Sequence, residues 1–288
     1  MDGLRVDLAE SVRGSAVYDK RSALLCRGDS VQVLAAWPDS SVDMVFADPP
    51  YRLSNGGFSC QNGRRACVDK GAWDRARSVD EDDEWNLAWL RECQRILKPT
   101  GTLWVSGTQH VIFSLGFGMQ RLGFHVLNTI TWLKPNASPN LSCRYFTHST
   151  EILIWASPAR QTPLQHVFNY SLMKAENGGK QMRDVWEIPV PPRSEKLHGR
   201  HPTQKPLRLM RRIVSASTNP GGLVLDPFSG SGSTGVACVE LGRSFIGIEL
   251  DETYLRLAAV RLDMARQGGP VSVRPDGERP SMRVTGTG

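Results

Sequence analysis

Short apolar runs alternate with amphipathic stretches along most of this chain. Apolar runs bounded by turn residues are typical of buried strands, and apolar residues spaced three and four apart are typical of helices that pack on them. An alternation of the two predicts an α/β fold with a doubly wound, mostly parallel sheet. The predicted strands are 23–27, 42–47, 101–106, 124–133, 151–156, 224–226 and 244–249, and the predicted helices are 31–36, 81–97, 110–122, 205–218, 235–241 and 251–266.

Four stretches depart from this alternation. Residues 1–20 show no clear period and are predicted to form a loose arm. Residues 52–79 are rich in Gly, Arg and small polar residues and are predicted to form a mobile loop beside the active site, which is described below. Residues 134–200 hold one strand and otherwise little regular pattern, and the tail 267–288 has the composition of a disordered segment. We therefore expect one domain over 21–266, with 134–200 as an insertion.

The composition is that of a globular chain with an uneven charge. An apolar content of 40% over 288 residues suffices for a substantial core, and no apolar run approaches the roughly 18 residues of a membrane-spanning helix. The formal net charge is +6, yet residues 134–212 contain 13 Lys or Arg against 5 Asp or Glu, a net of +8. A solvated face is the default explanation of such a run, and contact with nucleic-acid phosphates is the alternative.

The six cysteines, at positions 26, 60, 67, 93, 143 and 238, form no C-x-x-C pair and no metal-type cluster with histidine. The sequence also carries no signal peptide. Both features predict a reducing, cytoplasmic environment, ordinary thiols and no metal site.

The most informative stretch is Asp48-Pro49-Pro50-Tyr51, which directly follows the strand at 42–47. The carboxyl ends of parallel strands are where open α/β sheets bind ligands. The two prolines remove backbone donors and stiffen the turn, so that a carboxylate, a free carbonyl and an aromatic ring are offered together. This set suits a flat substrate with an exocyclic amine, whose N–H groups Asp48 and the Pro49 carbonyl would accept while Tyr51 stacks on the ring. A strand that ends in a proline turn with a surface tyrosine is the plain alternative.

A second motif runs from Asp226 through Phe228, Gly230 and Gly232 to Thr234, between a predicted strand and a predicted helix. Glycines there let a ligand approach the backbone, and the start of the helix offers free N–H groups. Glu249 ends the next strand about twenty residues further on, the spacing of an acid that binds ribose hydroxyls. Asp29, in the turn after the first strand, either accepts from an adenine amine or serves only the turn.

Together, the two motifs resemble the DNA amino-methyltransferases that use S-adenosylmethionine. Because the Asp-Pro-Pro-Tyr motif precedes the glycines, the chain resembles the circularly permuted β class of that superfamily over roughly residues 20–266. The segment 201–206 looks like the part of that class beside the methionine end of the cofactor. Residues 54–57, 140–151 and 179–186 are especially similar to the adenine methylases of DpnII-type restriction systems.

The resemblance implies a permuted, seven-stranded Rossmann-like sheet and a methyl transfer to the N6 amine of adenine in DNA, with the base flipped out of the duplex. It implies S-adenosylmethionine as the cofactor. The implied catalytic residues are Asp48, Pro49, Pro50 and Tyr51; the implied cofactor contacts are Asp29, Lys205, Asp226, Phe228, Gly230, Gly232, Thr234 and Glu249; and the implied DNA contacts are Lys134, Asn140, Arg144, Tyr145, Lys180 and Arg183.

Three alternatives stay open at this point. N4 methylation of cytosine involves an equivalent amine, although members of that type more often have Ser in place of Asp48. A DNA-binding relative without turnover and a protein or RNA substrate are the others. Methylation of carbon 5 of cytosine is typical of a Pro-Cys dipeptide, which the chain lacks. The expected partners are duplex DNA, with single strands as a further substrate, a second copy of the chain and a cognate restriction endonuclease with GATC specificity, in a nucleoid-associated cytoplasmic setting without a membrane.

Overall fold

The computed structural model describes residues 15–20, 22–51, 58–61, 64–67 and 78–268. The strands are β1 Ala16–Lys20, β2 Ala23–Arg27, β3 Val42–Ala47, β4 Phe58–Gln61, β5 Arg64–Cys67, β6 Leu97–Gly107, β7 His125–Leu133, β8 Thr150–Ser157, β9 Val185–Glu187, β10 Leu223–Asp226 and β11 Ser244–Glu249. The α-helices are α1 Ser30–Ala35, α2 Val79–Ile96, α3 Ile112–Arg121, α4 Tyr170–Glu176, α5 Leu207–Ser217, α6 Ser233–Glu240 and α7 Glu252–Gln267. The predicted strands and helices are all present, with ends shifted by a few residues.

The main sheet has the strand order β1-β2-β11-β10-β3-β6-β8-β7-β9. Strands β2, β11, β10, β3 and β6 run parallel, whereas β8 runs antiparallel to both β6 and β7. The seven predicted strands lie side by side, and β1 and β9 extend the sheet at its two edges. The sheet of the described residues is therefore mostly parallel but has nine strands, two more than expected.

Residues 16–20 correct the expectation of a loose arm, because they pair with β2 as an antiparallel edge strand. Tyr18 is the one buried residue of this strand, and its hydroxyl donates to Asp263 of α7 at 2.8 Å. Lys20 forms an ion pair with the same carboxylate at 2.8 Å. A strand with a single buried side chain leaves almost no apolar period, so the sequence pattern missed it. Residues 1–14 lie outside the described part.

The expected loop at 52–79 contains a β4–β5 hairpin, and its last residue begins α2. Ser78 caps that helix: its hydroxyl accepts from the Glu81 N–H, and the Glu81 carboxylate accepts from the Ser78 N–H. The remaining residues of this loop, like 269–288 of the expected tail, lie outside the described part of the chain. Helix α7 itself continues to Gln267.

The core lies in two apolar clusters, one on each face of the sheet. Val45 faces the cluster that α1, α2 and α3 cover, while Met44 and Phe46 face the cluster that α5, α6 and α7 cover. Successive residues of a strand point to opposite faces, so each strand of a sheet covered on both sides reads as a continuous apolar run. Each such side chain contributes about 1.5 to 3 kcal/mol by its burial. Among the described residues, no helix is long and apolar enough to cross a membrane.

Polar residues lie together at the carboxyl ends of the parallel strands. Asp48, Asp226 and Glu249 stand at the carboxyl ends of β3, β10 and β11. Because β8 is antiparallel, its first residues lie at this same end of the sheet, where Glu151 pairs with the end of β7. The fold therefore brings side chains from five strands to one place.

Candidate active site

A cleft opens at the carboxyl ends of β2, β3, β10 and β11, and we call it the first cleft. A cleft outside the carboxyl ends of the strands is where open α/β sheets bind ligands. The lining residues are Gly28, Asp29, Ser30, Asp48, Pro49, Pro50, Tyr51, Trp85, His201, Thr203, Pro227, Phe228, Gly230, Ile248, Glu249, Leu250 and Tyr254.

Asp226 holds the glycine turn in place from behind. One carboxylate oxygen accepts from the Phe228 N–H at 3.0 Å and the other from the Thr234 hydroxyl at 2.5 Å. Burial raises the pKa of Asp226 to about 7. Asp226 and Thr234, predicted as cofactor contacts, do not line the first cleft; they line a smaller pocket that shares Asp48, Phe228 and Gly230 with it, and their hydrogen bonds hold the turn.

Two glycines of the turn occupy the left-handed backbone region, with φ of +49° at Gly230 and +72° at Gly232. A Cβ at Gly230 would lie 3.0 Å from Nε2 of His201, and a Cβ at Gly232 would lie 2.9 Å from Cβ of Ala258. Gly230 lines the cleft, whereas Gly232 lets the turn pack on α7. Of these two predicted cofactor contacts, Gly230 therefore lines the first cleft and Gly232 does not.

Glu249 presents a carboxylate that the backbone fixes in orientation. Its Oε2 accepts from the Gly230 N–H at 2.8 Å, and its Oε1 accepts from the Leu250 and Asp251 N–H groups at 2.9 Å each. Burial raises the pKa of this carboxyl, with these backbone donors opposing the rise. A carboxylate has about four lone-pair sites, so Glu249 can still accept from ligand hydroxyls.

Asp29 lines the first cleft and also caps a helix. Its Oδ1 accepts from the Val31 N–H at 3.0 Å and the Gln32 N–H at 3.2 Å, which makes Asp29 the cap of α1. Aspartate is among the residues preferred at this position because its carboxylate can accept from the free N–H groups of the first turn.

Aromatic side chains also line the first cleft. The Trp85 ring lies 5.6 Å from the Phe228 ring, and His201 lies 4.2 Å from Tyr254, all measured between centroids. Trp85 of α2 is partly buried against the core, where its ring lies 6.4 Å from that of the completely buried Trp89, and it also lines the cleft.

Asp48 and Tyr51 form the centre of a buried polar network. Oδ1 of Asp48 accepts from the Tyr51 hydroxyl at 2.6 Å, and Oδ2 accepts from Nζ of Lys205 at 2.5 Å. Burial raises the pKa of Asp48, with Lys205 opposing the rise. Tyr51 is only 6% exposed, so its ring is not on the surface. Lys205, predicted as a cofactor contact, lies at the Asp48 carboxylate; it does not line the first cleft but lines the smaller pocket that shares Asp48, Phe228 and Gly230 with it.

The network continues to two further charged residues, Lys134 directly after β7 and Glu151 of β8. Oε2 of Glu151 lies 3.2 Å from the Tyr51 hydroxyl and 3.5 Å from Nζ of Lys205. Oε1 of Glu151 accepts from Lys134 at 3.1 Å. Burial alone would raise the pKa of Glu151, but Lys205 and Lys134 hold it below its usual value. Sequence reasoning gave no role to Glu151, whose only signal was a charged residue at the start of a buried strand.

A second cleft lies on the other side of Tyr51. It is lined by residues of this network and by the 190–205 segment, and it shares Tyr51, His201 and Thr203 with the first cleft. Asp48 lines the first cleft, while Lys134 and Glu151 line the second. Tyr51 therefore stands where two clefts meet.

The predicted DNA contacts divide into two groups. Arg144, Tyr145, Lys180 and Arg183 are exposed. The side chain of Lys134 is only 14% exposed and is paired with Glu151, so it lies inside the site rather than on a phosphate-binding surface.

Asn140 shapes its own loop. Its Nδ2 donates to the Tyr145 carbonyl at 2.6 Å, and its Oδ1 accepts from the Ser142 N–H at 3.0 Å. These contacts hold the exposed Tyr145 at the tip of the loop between β7 and β8.

Comparison with known proteins decides the family. The profile of the N6_N4_Mtase family, described as DNA methylase, matches residues 42–260. This chain belongs to the N6_N4_Mtase family of DNA methylases. It is 50% identical over 246 residues to the Type II methyltransferase M2.LlaDCHI of Lactococcus lactis subsp. cremoris, with 85% of this chain and 91% of the relative covered. It is 49% identical to M2.DpnII of Streptococcus pneumoniae, with the same coverage.

Solved structures agree on the fold. The complex of M1.HpyAVI with S-adenosylmethionine superposes with a TM-score of 0.63 at 28% identity, over 84% of this chain and 99% of that one. The cytosine-N4-specific PvuII DNA methyltransferase gives a TM-score of 0.69 at 19% identity, over 86% and 88% of the two chains, which bears on fold alone. The chain is a DNA methyltransferase with a Rossmann-like fold, and S-adenosylmethionine is its methyl donor.

Proposed function

We propose that this member of the N6_N4_Mtase family methylates the N6 amine of adenine at a specific site in duplex DNA. The observation that carries the proposal is the place of Asp48-Pro49-Pro50-Tyr51, where the first cleft meets the second. Bound in the first cleft, S-adenosylmethionine supplies a methyl group that its sulfonium already activates. The chain's own residues have to bind the two reactants, orient them and stabilise the charge that develops on the amine.

The first cleft fits the cofactor chemically. Glu249 offers carboxylate oxygens for ribose hydroxyls, and Asp29 offers an acceptor for the adenine amine. Trp85 and Phe228 provide an apolar wall for a planar ring. A side chain at Gly230 would crowd His201, so glycine keeps the backbone open at this point. These residues are the ones we assign to cofactor binding.

Asp48 and the Pro49 carbonyl are assigned to the target amine. The lone pair of an aromatic amine is delocalised into the ring, so the free amine is a poor nucleophile. Two acceptors on its N–H groups favour a pyramidal nitrogen and its developing positive charge, and they therefore bind the transition state better than the ground state. Fixed acceptors in a buried site are effective because they need no reorganisation during the reaction.

The second cleft is assigned to the target base. The N6 amine lies inside a paired duplex, so the base has to leave the stack before Asp48 can reach it. A base in the second cleft would bring its amine to Asp48 and its ring to Tyr51, which lines both clefts. Extrusion costs a few kcal/mol, which contacts within the cleft have to offset.

Adenine is favoured over cytosine by Asp48 itself, since members that methylate cytosine at N4 more often have Ser there. Asp48, Tyr51, Gly230 and Glu249 together form a complete set for turnover, which argues against a binding protein without activity.

The exposed cations at 144, 180 and 183 are assigned to phosphate contact. Action on single strands, a homodimer, a cognate endonuclease for GATC and a nucleoid-associated cytoplasmic setting complete the proposal; the Type II names of the relatives support the endonuclease.

The test is a nucleoside analysis. The protein is incubated with methyl-labelled S-adenosylmethionine and unmethylated mixed-sequence duplex DNA, the DNA is digested to nucleosides, and the modified positions are mapped. We expect label in N6-methyladenine at one short recognition sequence, with GATC the first candidate. Label in N4-methylcytosine would replace adenine by cytosine in the proposal, and the absence of label from the DNA would reject it.

A further inference from the structure

We propose that Glu151 is a positioning residue for methyl transfer: it receives the two hydrogen-bond donors that otherwise occupy Asp48, and so leaves Asp48 available to the target amine. The inference rests on the proposed role of Asp48 and deepens it. It concerns three side chains of the buried network, Glu151, Lys205 and Tyr51.

Both oxygens of Asp48 are already engaged in the structure. The Tyr51 hydroxyl lies 2.6 Å from Oδ1, and the Lys205 ammonium lies 2.5 Å from Oδ2. An ammonium at this distance competes with the N–H groups of the target amine for the same lone pairs. Its positive charge also opposes the positive charge that develops on the amine nitrogen. Efficient transfer therefore requires Lys205 and Tyr51 to release Asp48 when the amine arrives.

Glu151 lies within reach of the same two donors. Its Oε2 is 3.5 Å from Nζ of Lys205 and 3.2 Å from the hydroxyl oxygen of Tyr51. A tyrosine has one hydroxyl proton, which it can donate to only one of the two carboxylates at a time, while the lysine has three donors. Rotation of the hydroxyl and a small shift of the ammonium would move both from Asp48 to Glu151.

Lys134 prepares Glu151 for this role. It binds Oε1 at 3.1 Å, on the carboxylate oxygen that does not face Tyr51 and Lys205. Two lysines and two acids then balance in charge, and the pair of lysines keeps Glu151 ionised. Because Glu151 and Lys134 line the second cleft and not the first, the cofactor has no contact with either in the lining described.

The first experiment compares Glu151→Gln with the parent under single-turnover conditions, using labelled S-adenosylmethionine and unmethylated mixed-sequence duplex DNA. The amide keeps the shape of the side chain but loses the charge that attracts Lys205. We expect methyl transfer to slow by at least about tenfold, as when one preorganised group is lost at an active site, while cofactor affinity stays within about twofold of the parent, because a fully lost hydrogen bond would cost more. Glu92→Gln is the matched control, since Glu92 pairs with Arg95 on α2, away from both clefts.

The pH profile separates a positioning role from a structural one. The charged or titratable groups that face the Lys205 ammonium are Asp48, Tyr51 and Glu151. Without the charge of Glu151, one of the two carboxylates that raise the pKa of Lys205 is gone. Transfer by Glu151→Gln should then increase at alkaline pH, as Lys205 loses its proton and releases Asp48, by a larger factor than transfer by the parent.

A second variant keeps the inference testable whatever the stability of the first. Adding Lys205→Met to Glu151→Gln removes the competitor, and we expect the double variant to transfer faster than Glu151→Gln alone. Glu151→Asp, which keeps the charge but shortens the reach, should fall between Glu151→Gln and the parent.

Three results would overturn the inference: transfer by Glu151→Gln at the parent rate, an unchanged pH profile, or a double variant that is no faster than Glu151→Gln. A parent protein that methylates no amine would reject the proposed function instead. An active parent with an equally active Glu151→Gln would leave that function standing and remove only the role of Glu151.

Discussion

Replacement of Asp226 by Asn should make the protein more stable at neutral and alkaline pH. Asp226 is 2% exposed, and its burial raises its pKa from 3.8 to about 7 in the folded protein. That difference corresponds to roughly 4 kcal/mol. The sign follows from the proton: the folded protein holds it more tightly than the unfolded chain does. The contribution to stability is therefore complete below about pH 4, declines as the pH rises to about 7, and is absent above that.

Asparagine at position 226 should keep the hydrogen bonds to Phe228 and Thr234, and it has no proton to lose in this pH range. Its carbonyl oxygen can accept from the Phe228 N–H, and its amide can donate to the Thr234 hydroxyl, which also accepts. Alanine, in contrast, would leave both groups without their present partner, at a cost of about 1 to 3 kcal/mol for each buried group. Asp226→Ala is thus the matched variant for the loss of the hydrogen bonds.

The assay is urea unfolding of the parent, Asp226→Asn and Asp226→Ala between pH 4 and pH 8. The difference in the free energy of unfolding between Asp226→Asn and the parent should grow with pH, toward an upper limit of roughly 4 kcal/mol at pH 8. Asp226→Ala should be less stable than Asp226→Asn at every pH. A difference between Asp226→Asn and the parent that does not change with pH would refute the reasoning from burial.

Three other predictions concern ligands. Glu249→Ala should weaken the binding of S-adenosylmethionine about tenfold or more, through loss of charge-assisted hydrogen bonds to ribose; equal affinity by calorimetry would make the acid a structural anchor of the turn. The logarithm of the affinity for duplex DNA should fall linearly with the logarithm of the salt concentration, with a slope of about −0.9 per phosphate contacted. Combined Ala substitutions at Arg144, Lys180 and Arg183 should make this slope less steep. A slope near zero in the parent protein would show that these cations form only a solvated face. DNA with a mismatch opposite the target adenine should bind more tightly than matched duplex, because extrusion of an unpaired base costs less; equal binding, with no unstacking of a fluorescent base analogue at the target, would contradict base flipping.

The predicted residues that line the first cleft share a simple geometry. Asp48 and Gly230 come after a strand, and Glu249 ends one, and each of these strands is a continuous apolar run typical of a buried, parallel strand. Parallel strands end on the same side of the sheet, so the residues at their ends meet without further information. The pattern of the chain was therefore enough to expect a cleft at this place and the three carboxylates, Asp29, Asp48 and Glu249, that line it.

The network behind Asp48 could not be predicted in this way. Glu151 lies at the start of β8. It reaches the carboxyl ends of the parallel strands only because β8 runs antiparallel to them, and an apolar run does not reveal the direction of a strand. Lys134 and Lys205 are cations whose partners lie far away in sequence, at a distance of 17 residues for Lys134 and Glu151 and 157 residues for Lys205 and Asp48. Because they are basic, Lys134 was predicted to contact DNA and Lys205 to contact the cofactor. In the structure both are buried and paired with carboxylates.

The most direct test of the account is the effect of Asp48→Asn on methyl transfer to DNA, measured in a single turnover together with the affinity for S-adenosylmethionine. Asparagine keeps the size of the side chain but loses the negative charge that the developing positive nitrogen requires. The account predicts transfer at least about a hundredfold slower, since one preorganised acceptor is worth roughly 3 kcal/mol, and nearly unchanged cofactor affinity. Transfer at a rate close to that of the parent would remove Asp48 from the mechanism and contradict the account.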